Sequence, residues 1–228
     1  MWKNNKAGDR LSREEIFMKY LILAAVLFLA TPAQASEFAG YVREVSGDVT
    51  IDRGAGAKPL HKGDDIAIND KIMTAKGGRT KIEFADGAEL VLAQKGSVKI
   101  DQYVYDPKKP HEGKAEMTVL DSAFSFTGGW MDKGGKSDVK MNLNFGTIGI
   151  RGTKIMRAMN MDGKECWIYL QSGNVDVYNK GGKVSLKPGE GTIMSGKTKA
   201  PAAPHIWPKK EIAWISANVA GEAKEWKP

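Results

Sequence analysis

The side chains that could do chemistry in this chain are thinly spread. Its three histidines, His61, His111 and His205, stand singly, and none has a second histidine or a carboxylate at metal-ligand spacing on one element. No zinc site follows from such a pattern. Asp64, Asp65 and Asp70 crowd one turn region and carry the right oxygens for calcium, but the Asp/Asn/Gly alternation of calcium loops is missing, so a solvated turn is expected there. Cys166 is the only cysteine and has no disulfide partner in the chain; it falls in an alternating stretch beside Trp167 and Tyr169, as a small buried hydrophobe would. There is no G-x-S-x-G, no paired Cys and His, and no glycine loop set between a strand and a helix to cradle phosphate. These absences predict a protein that is not an enzyme and that carries no cofactor or metal.

Two residues stand out for recognition instead. Arg151 lies in Gly149-Ile150-Arg151-Gly152-Thr153, where two glycines bracket one cation in a run of strand residues, so the backbone must turn, bulge or pass close to another chain. Either the arginine is half-buried and held by a carboxylate or by carbonyls at a β corner, or it presents its planar fork to an anionic partner. The regular pattern around it favours the structural role, on which Arg151→Ala would cost several kcal/mol. Trp130, after Gly128-Gly129, is the second candidate, read first as a plug for the end of the β structure and otherwise as a loop contact.

The elements that must position these residues are strands. Short alternating runs such as GYVREVSGDVTID, TKIEFA, AELVLA, SVKIDQYVY and VKMNLNF are separated by turn residues, and 26 glycines supply the corners. Asp162-Gly163 predicts a type I′ hairpin between Lys154–Met161 and Lys164–Gln171, and Asp86-Gly87 repeats that arrangement in the first half. KIEFADGAELVLAQKGSVKI and KIMRAMNMDGKECWIYLQSGNVDVY therefore read as imperfect copies of one unit. The expected fold is all-β, an antiparallel, solenoid-like or sandwich-like stack. Asp106–Lys114 and Met131–Asp138 are expected to be exposed loops.

TIGIRGT, a hairpin, and then LQSGNVDVYNKGGKVSLKPGEG resemble the FecR domain, the extracytoplasmic β-rich domain of bacterial iron-transport sigma regulators and of many stand-alone secreted proteins. GYVREVSGDVTIDRGAGAKPLHKGDDIAINDKIMTAKGGRTKIEFADGAELVLAQKGSVKI resembles the opening half of the same domain, and together they span Phe38 to Met194. The family often has Thr-Pro just before the arginine corner, where this chain has MNLNFGT. The resemblance implies a signalling or binding module. In the sigma regulators the domain follows a cytoplasmic segment and a membrane span; here an export signal is expected in that place, so iron-transport signalling does not transfer whole.

That signal begins at Met1 or at Met18: MKYLILAAVLFLATPAQAS offers a lysine, an apolar core from Tyr20 to Ala30 and a small-residue site at Ala33-Gln34-Ala35, with cleavage expected after Ala35. The core is about half the roughly 20 residues of a spanning helix, so no stable span is expected after cleavage. The formal charge of the whole chain is +7, from 34 basic and 27 acidic side chains. No basic run is interleaved with aromatics, and nucleic acid is not an expected partner. The reading divides the chain into a signal peptide (1–35), a β domain (36–195), a proline-rich linker (196–207), and a short amphipathic helix with a tail (208–228), the helix starting at Pro208 and docking Ile212, Ile215 and Val219 on its own domain. The expected product is a periplasmic or secreted module that recognises an unknown envelope protein or surface ligand. The alternative is a structural, cell-envelope assembly or carbohydrate-contacting protein.

Overall fold

A computed structural model describes residues 37–133, 138–160 and 162–222. The chain divides into Met1–Ala35 and Ser36–Pro228, and all the described residues belong to the second unit. The expected export signal and its expected cleavage site lie outside them, as do part of the 131–138 loop and the last six residues.

Among the described residues the alternating runs become sixteen strands of one hydrogen-bonded sheet that curls into a half-barrel. In chain order they are β1 (Phe38–Ser46), β2 (Val49–Asp52), β3 (Ala57–Pro59), β4 (Asp65–Ala67), β5 (Lys71–Thr74), β6 (Arg79–Phe84), β7 (Glu89–Leu92) and β8 (Gly96–Val104), followed by β9 (Lys114–Leu120), β10 (Phe124–Thr127), β11 (Asp138–Leu143), β12 (Gly146–Met159), β13 (Cys166–Asn179), β14 (Gly182–Leu186), β15 (Glu190–Met194) and β16 (His205–Ile206). One helix, α1 (Lys209–Ala220), follows. The main path runs β3-β2-β5-β8-β9-β11-β12-β10-β7-β6-β1-β4, with β13 to β16 branching from β12. The expected all-β architecture with a short C-terminal helix is therefore the one observed.

Both Asp-Gly pairs lie in hairpins, but not as two-residue type I′ turns. At the first pair the left-handed φ belongs to Gly87 (79°) and not to Asp86, and the Gly87 amide donates to the Phe84 carbonyl at 2.9 Å, which is a right-handed turn followed by one left-handed glycine. At the second, β12 ends at Met159 and β13 starts at Cys166, so the connection is longer than two residues, and Gly163 takes a left-handed φ of 71°. Ser172-Gly173 lies within the single strand β13, at the point where its register with β12 slips.

β12 is the strand that joins the halves. Residues 146–150 pair with β11 and residues 154–157 with β10, while the hairpin ladder with β13 slips between Arg151 and Lys154. A strand rises about 3.3 Å per residue, so a straight chain would put residues 144 and 157 about 40 Å apart. Yet Nη2 of Arg157 donates to Oδ1 of Asn144 at 3.0 Å. The bend at Gly152 must fold the two arms of β12 toward each other across the core.

Arg157 is fully buried. Its Nη1 donates to the Ser122 carbonyl and its Nε to Sγ of Cys166 at 3.1 Å, so one guanidinium ties the β9–β10 turn, the β11–β12 turn and β13 together. Asn144 also donates to Asp121 at 2.7 Å and accepts from its amide at 3.1 Å, which sets a carboxylate one residue removed from the buried charge. Around Arg157 the alternation is lost because both faces are covered. Ile155 belongs to the main core, whereas Met156 and Ala158 pack in a second cluster with Trp167, Tyr169, Trp207, Trp214 and Val219.

The C-terminal segment is therefore structural and not a free linker. β16 pairs with β15, and Trp207 is 3% exposed, lying over Gly191, where any Cβ would overlap the indole. Pro208 is the N-cap residue of α1, one position before the expected first turn, and Gly221 at φ 96° closes the helix. Ile215 and Val219 dock on the domain as expected, with Trp214 buried beside them and Ile212 partly buried. Asp70 also departs from expectation: it is 2% exposed, accepts from the Ala67 amide at 2.9 Å and pairs with Arg53 at 3.3 Å. Removing the tie at the bend should be costly. Arg157→Ala is expected to lower unfolding free energy in urea by about 3–5 kcal/mol, since it leaves a cavity and takes the guanidinium from the Ser122 carbonyl, Cys166 and Asn144, the last of which keeps only the Asp121 amide. A loss below about 1 kcal/mol would show that the bend holds without it.

Candidate functional site

The Gly149–Thr153 stretch is the corner of β12. Ile150 points into the core at 2% exposure, Thr153 is buried, and Gly149 lies opposite Asp176 on β13. Gly152 takes a left-handed φ of 65°, and Gly173 opposite it takes 87°. A Cβ on Gly173 would overlap the Gly152 carbonyl oxygen, so this crossing of two chains is closed to any other residue.

Arg151 itself is exposed, opposite Asn174. The expectation that it is half-buried and holds the corner is overturned, because that role belongs to Arg157, six residues further on. Among the described residues no hydrogen bond or ion pair holds Arg151. Its neighbour Asp176 is committed elsewhere: Lys183 at 2.8 Å and the Ser185 hydroxyl at 2.6 Å hold that carboxyl below the ordinary aspartate range, and Arg151 adds only a smaller attraction in the same sense.

The corner is held from beneath by a turn that the sequence reading took for an exposed loop. After β10, Gly128 donates to the Thr153 carbonyl at 2.8 Å, and residues Met131–Lys133 form one 3₁₀ turn in which Met131 and Asp132 are buried. Asp132 Oδ2 accepts from the Thr153 amide at 3.0 Å. A Cβ on Gly128 would overlap the Asp132 carboxylate, so the glycine permits this approach. The Trp130 amide donates to the Asp86 carbonyl at 2.9 Å, and the Met131 amide to Asp86 Oδ2 at 3.2 Å. Asp86 Oδ1 in turn accepts from the Tyr103 hydroxyl at 3.0 Å. Two acids thus sit under the corner beside a cavity of about 10 Å³, the space of a single water molecule.

Burial pushes the Asp132 carboxyl above the ordinary aspartate value; the Thr153 amide opposes this, and the charge of Asp86 reinforces it. Burial likewise pushes the Tyr103 phenol up, next to Asp86. Sequence reasoning passed over both acids, Asp86 because an Asp-Gly turn looks solvated and Asp132 because it begins a lysine- and glycine-rich loop. The glycine pair at 128 and 129 was the available signal, since it makes room for carboxylates from two other segments.

The same turn carries Trp130 to the surface. It is 59% exposed and so does not plug the sheet; Lys133 Nζ lies 4.8 Å from its ring centroid, and His111 Nδ1 is 3.1 Å from its carbonyl oxygen. The two candidates, Arg151 and Trp130, are thus anchored to one corner through Asp132 and Gly128. Cys166 is buried as expected. Among the described residues no cluster of His, Cys, Asp or Glu could hold a metal ion, and no helix is long and apolar enough to cross a membrane.

Because the Asp132 carboxyl binds its proton more tightly in the folded state than in the unfolded one, stability should fall as pH rises through the window above the ordinary aspartate value, and the penalty persists at neutral pH. Asp132→Asn keeps an acceptor for the Thr153 amide. It is expected to flatten that pH dependence and to raise the melting temperature at pH 7 relative to wild type. A variant that melts lower at pH 7 and keeps the wild-type slope would show that the charged carboxylate stabilises the corner.

No family model matches the chain, and no curated protein matches it. Solved structures do. Two crystal structures, each of a proposed anti-sigma factor from Parabacteroides distasonis ATCC 8503, superpose with a TM-score of 0.50 at 10% and 12% sequence identity. The matches cover 63% and 64% of this chain and 62% and 63% of those chains, so this chain spans less than two thirds of the length of either structure it matches. At such identity the likeness is one of fold.

Proposed function

We propose that the chain is a non-catalytic, FecR-like binding and signalling module that acts outside the cytoplasm and recognises an envelope partner through the corner that carries Arg151 and Trp130. The observation that carries this reading is an exposed guanidinium without a described ion-pair partner on a backbone corner that glycines and a buried carboxylate hold fixed. A backbone fixed in this way has no further ordering to undergo on binding, so the cost falls on the arginine side chain alone. An exposed tryptophan anchored to the same corner adds the kind of side chain that dominates protein interfaces. The fold likeness to a protein proposed as an anti-sigma factor supports a regulatory role, as does the resemblance of the TIGIRGT and LQSGNVDVY motifs to the FecR domain.

Cross-linked pull-downs from a bacterial envelope, with the full chain as bait, test the proposal. Arg151→Ala should melt within about 0.5 kcal/mol of wild type, as exposed substitutions do, and should lose a partner that wild type captures. Trp130→Ala should lose the same partner. Capture of an identical set of proteins by wild type and both variants would refute recognition at the corner.

A further inference from the structure

A groove of about 430 Å³ opens between the β11–β12 turn and the β13–β14 turn, and it reaches Thr147, four residues along β12 from Arg151. Its volume falls within the roughly 300–1,000 Å³ of small-molecule sites. Half-buried Phe145 and Tyr178 supply flat apolar surface.

The side-chain amides in its walls are already engaged. Asn142 donates to Glu116 at 2.7 Å and accepts from Thr147 at 3.0 Å, and Asn144 is shared between Asp121 and Arg157. Asn179 donates to the carbonyls of Gly196 at 2.9 Å and Lys199 at 2.8 Å. These groups give the groove a fixed shape and leave its free polarity at the rim.

The rim is cationic. The Lys180 amide donates to the Lys197 carbonyl at 3.1 Å, so the two backbones lie side by side, both side chains are exposed, and among the described residues neither ammonium has an ion-pair partner. No carboxylate lines the groove. Both flexible ammoniums can reach an anion at this rim, and each would give it a charge-assisted hydrogen bond. Tyr178 contributes its ring to the wall of the groove.

We infer that this groove binds a small ligand bearing a carboxylate on a flat apolar body, with the carboxylate between Lys180 and Lys197 and the flat face against Phe145 and Tyr178. The inference rests on these residues alone and stands or falls separately from partner recognition at the Arg151 corner.

The test is a titration of the full chain with 2-naphthoate, followed by amide chemical shifts, beside its neutral counterpart 2-naphthamide. Saturable shifts are expected at Phe145, Tyr178, Lys180 and Lys197, with the amide at least about tenfold weaker. The double variant Lys180→Ala/Lys197→Ala should lose about tenfold in naphthoate affinity while melting as wild type does. Equal binding of acid and amide, shifts that map elsewhere, or no saturable binding would each overturn the site. The acid–amide comparison is made on the wild type, so it decides the matter even if the double variant proves less stable.

Discussion

The structure depends on one buried charge. Taking a guanidinium out of water costs several kcal/mol, and Arg157 meets that cost without a carboxylate in direct contact. Its compensation is a carbonyl, a thiol and an amide oxygen, with Asp121 reached through Asn144. Asp121 takes a left-handed φ of 64°, a conformation uncommon for a residue with a side chain, and its two hydrogen bonds to Asn144 offset that strain. The three groups that touch the guanidinium come from the β9–β10 turn, the β11–β12 turn and β13. The charge is satisfied only when all of them have arrived, which makes the bend of β12 a cooperative feature and not a local one.

Two arginines six residues apart on one strand therefore do opposite things. Before the bend, Arg151 lies on the outer face, where β13 offers Asn174 and a carboxylate already bound by Lys183. Beyond it, Arg157 lies on the inner face, and α1 covers the other side of the same arm. The sequence separation is even, so a straight strand would have put both arginines on one face. The register slip between Arg151 and Lys154 places them on opposite faces.

Much of this was legible in the residues and some was not. Alternation marked the strands, the two Asp-Gly pairs marked hairpins, and glycines at 149 and 152 marked a corner that is there. What alternation could not show was which arginine pays the structural role, because GIRGT announces its constraint through glycine while KIMRAM hides it. The signal was present in the second motif: a lone arginine in an otherwise apolar run, Ile155, Met156, Ala158 and Met159, where alternation fails because both faces are dry. Asp86, Asp132 and Asp70 were missed for one physical reason. A carboxylate in a turn is exposed unless amides from elsewhere converge on it, and convergence is a property of the fold.

The position of the C-terminal segment completes the argument for a rigid corner. Trp207 over Gly191 and α1 over Met156 and Ala158 exclude water from the outer side of the arm that holds Arg157. A dry arm strengthens the guanidinium's hydrogen bonds and raises the cost of breaking any one of them. The proline-rich stretch that reads as a spacer in the sequence thus stiffens the bend, and the bend fixes where Arg151 and the turn carrying Trp130 face solvent. Rigidity is made inside, by residues with no access to a partner, and is presented outside by residues that the fold itself does not need.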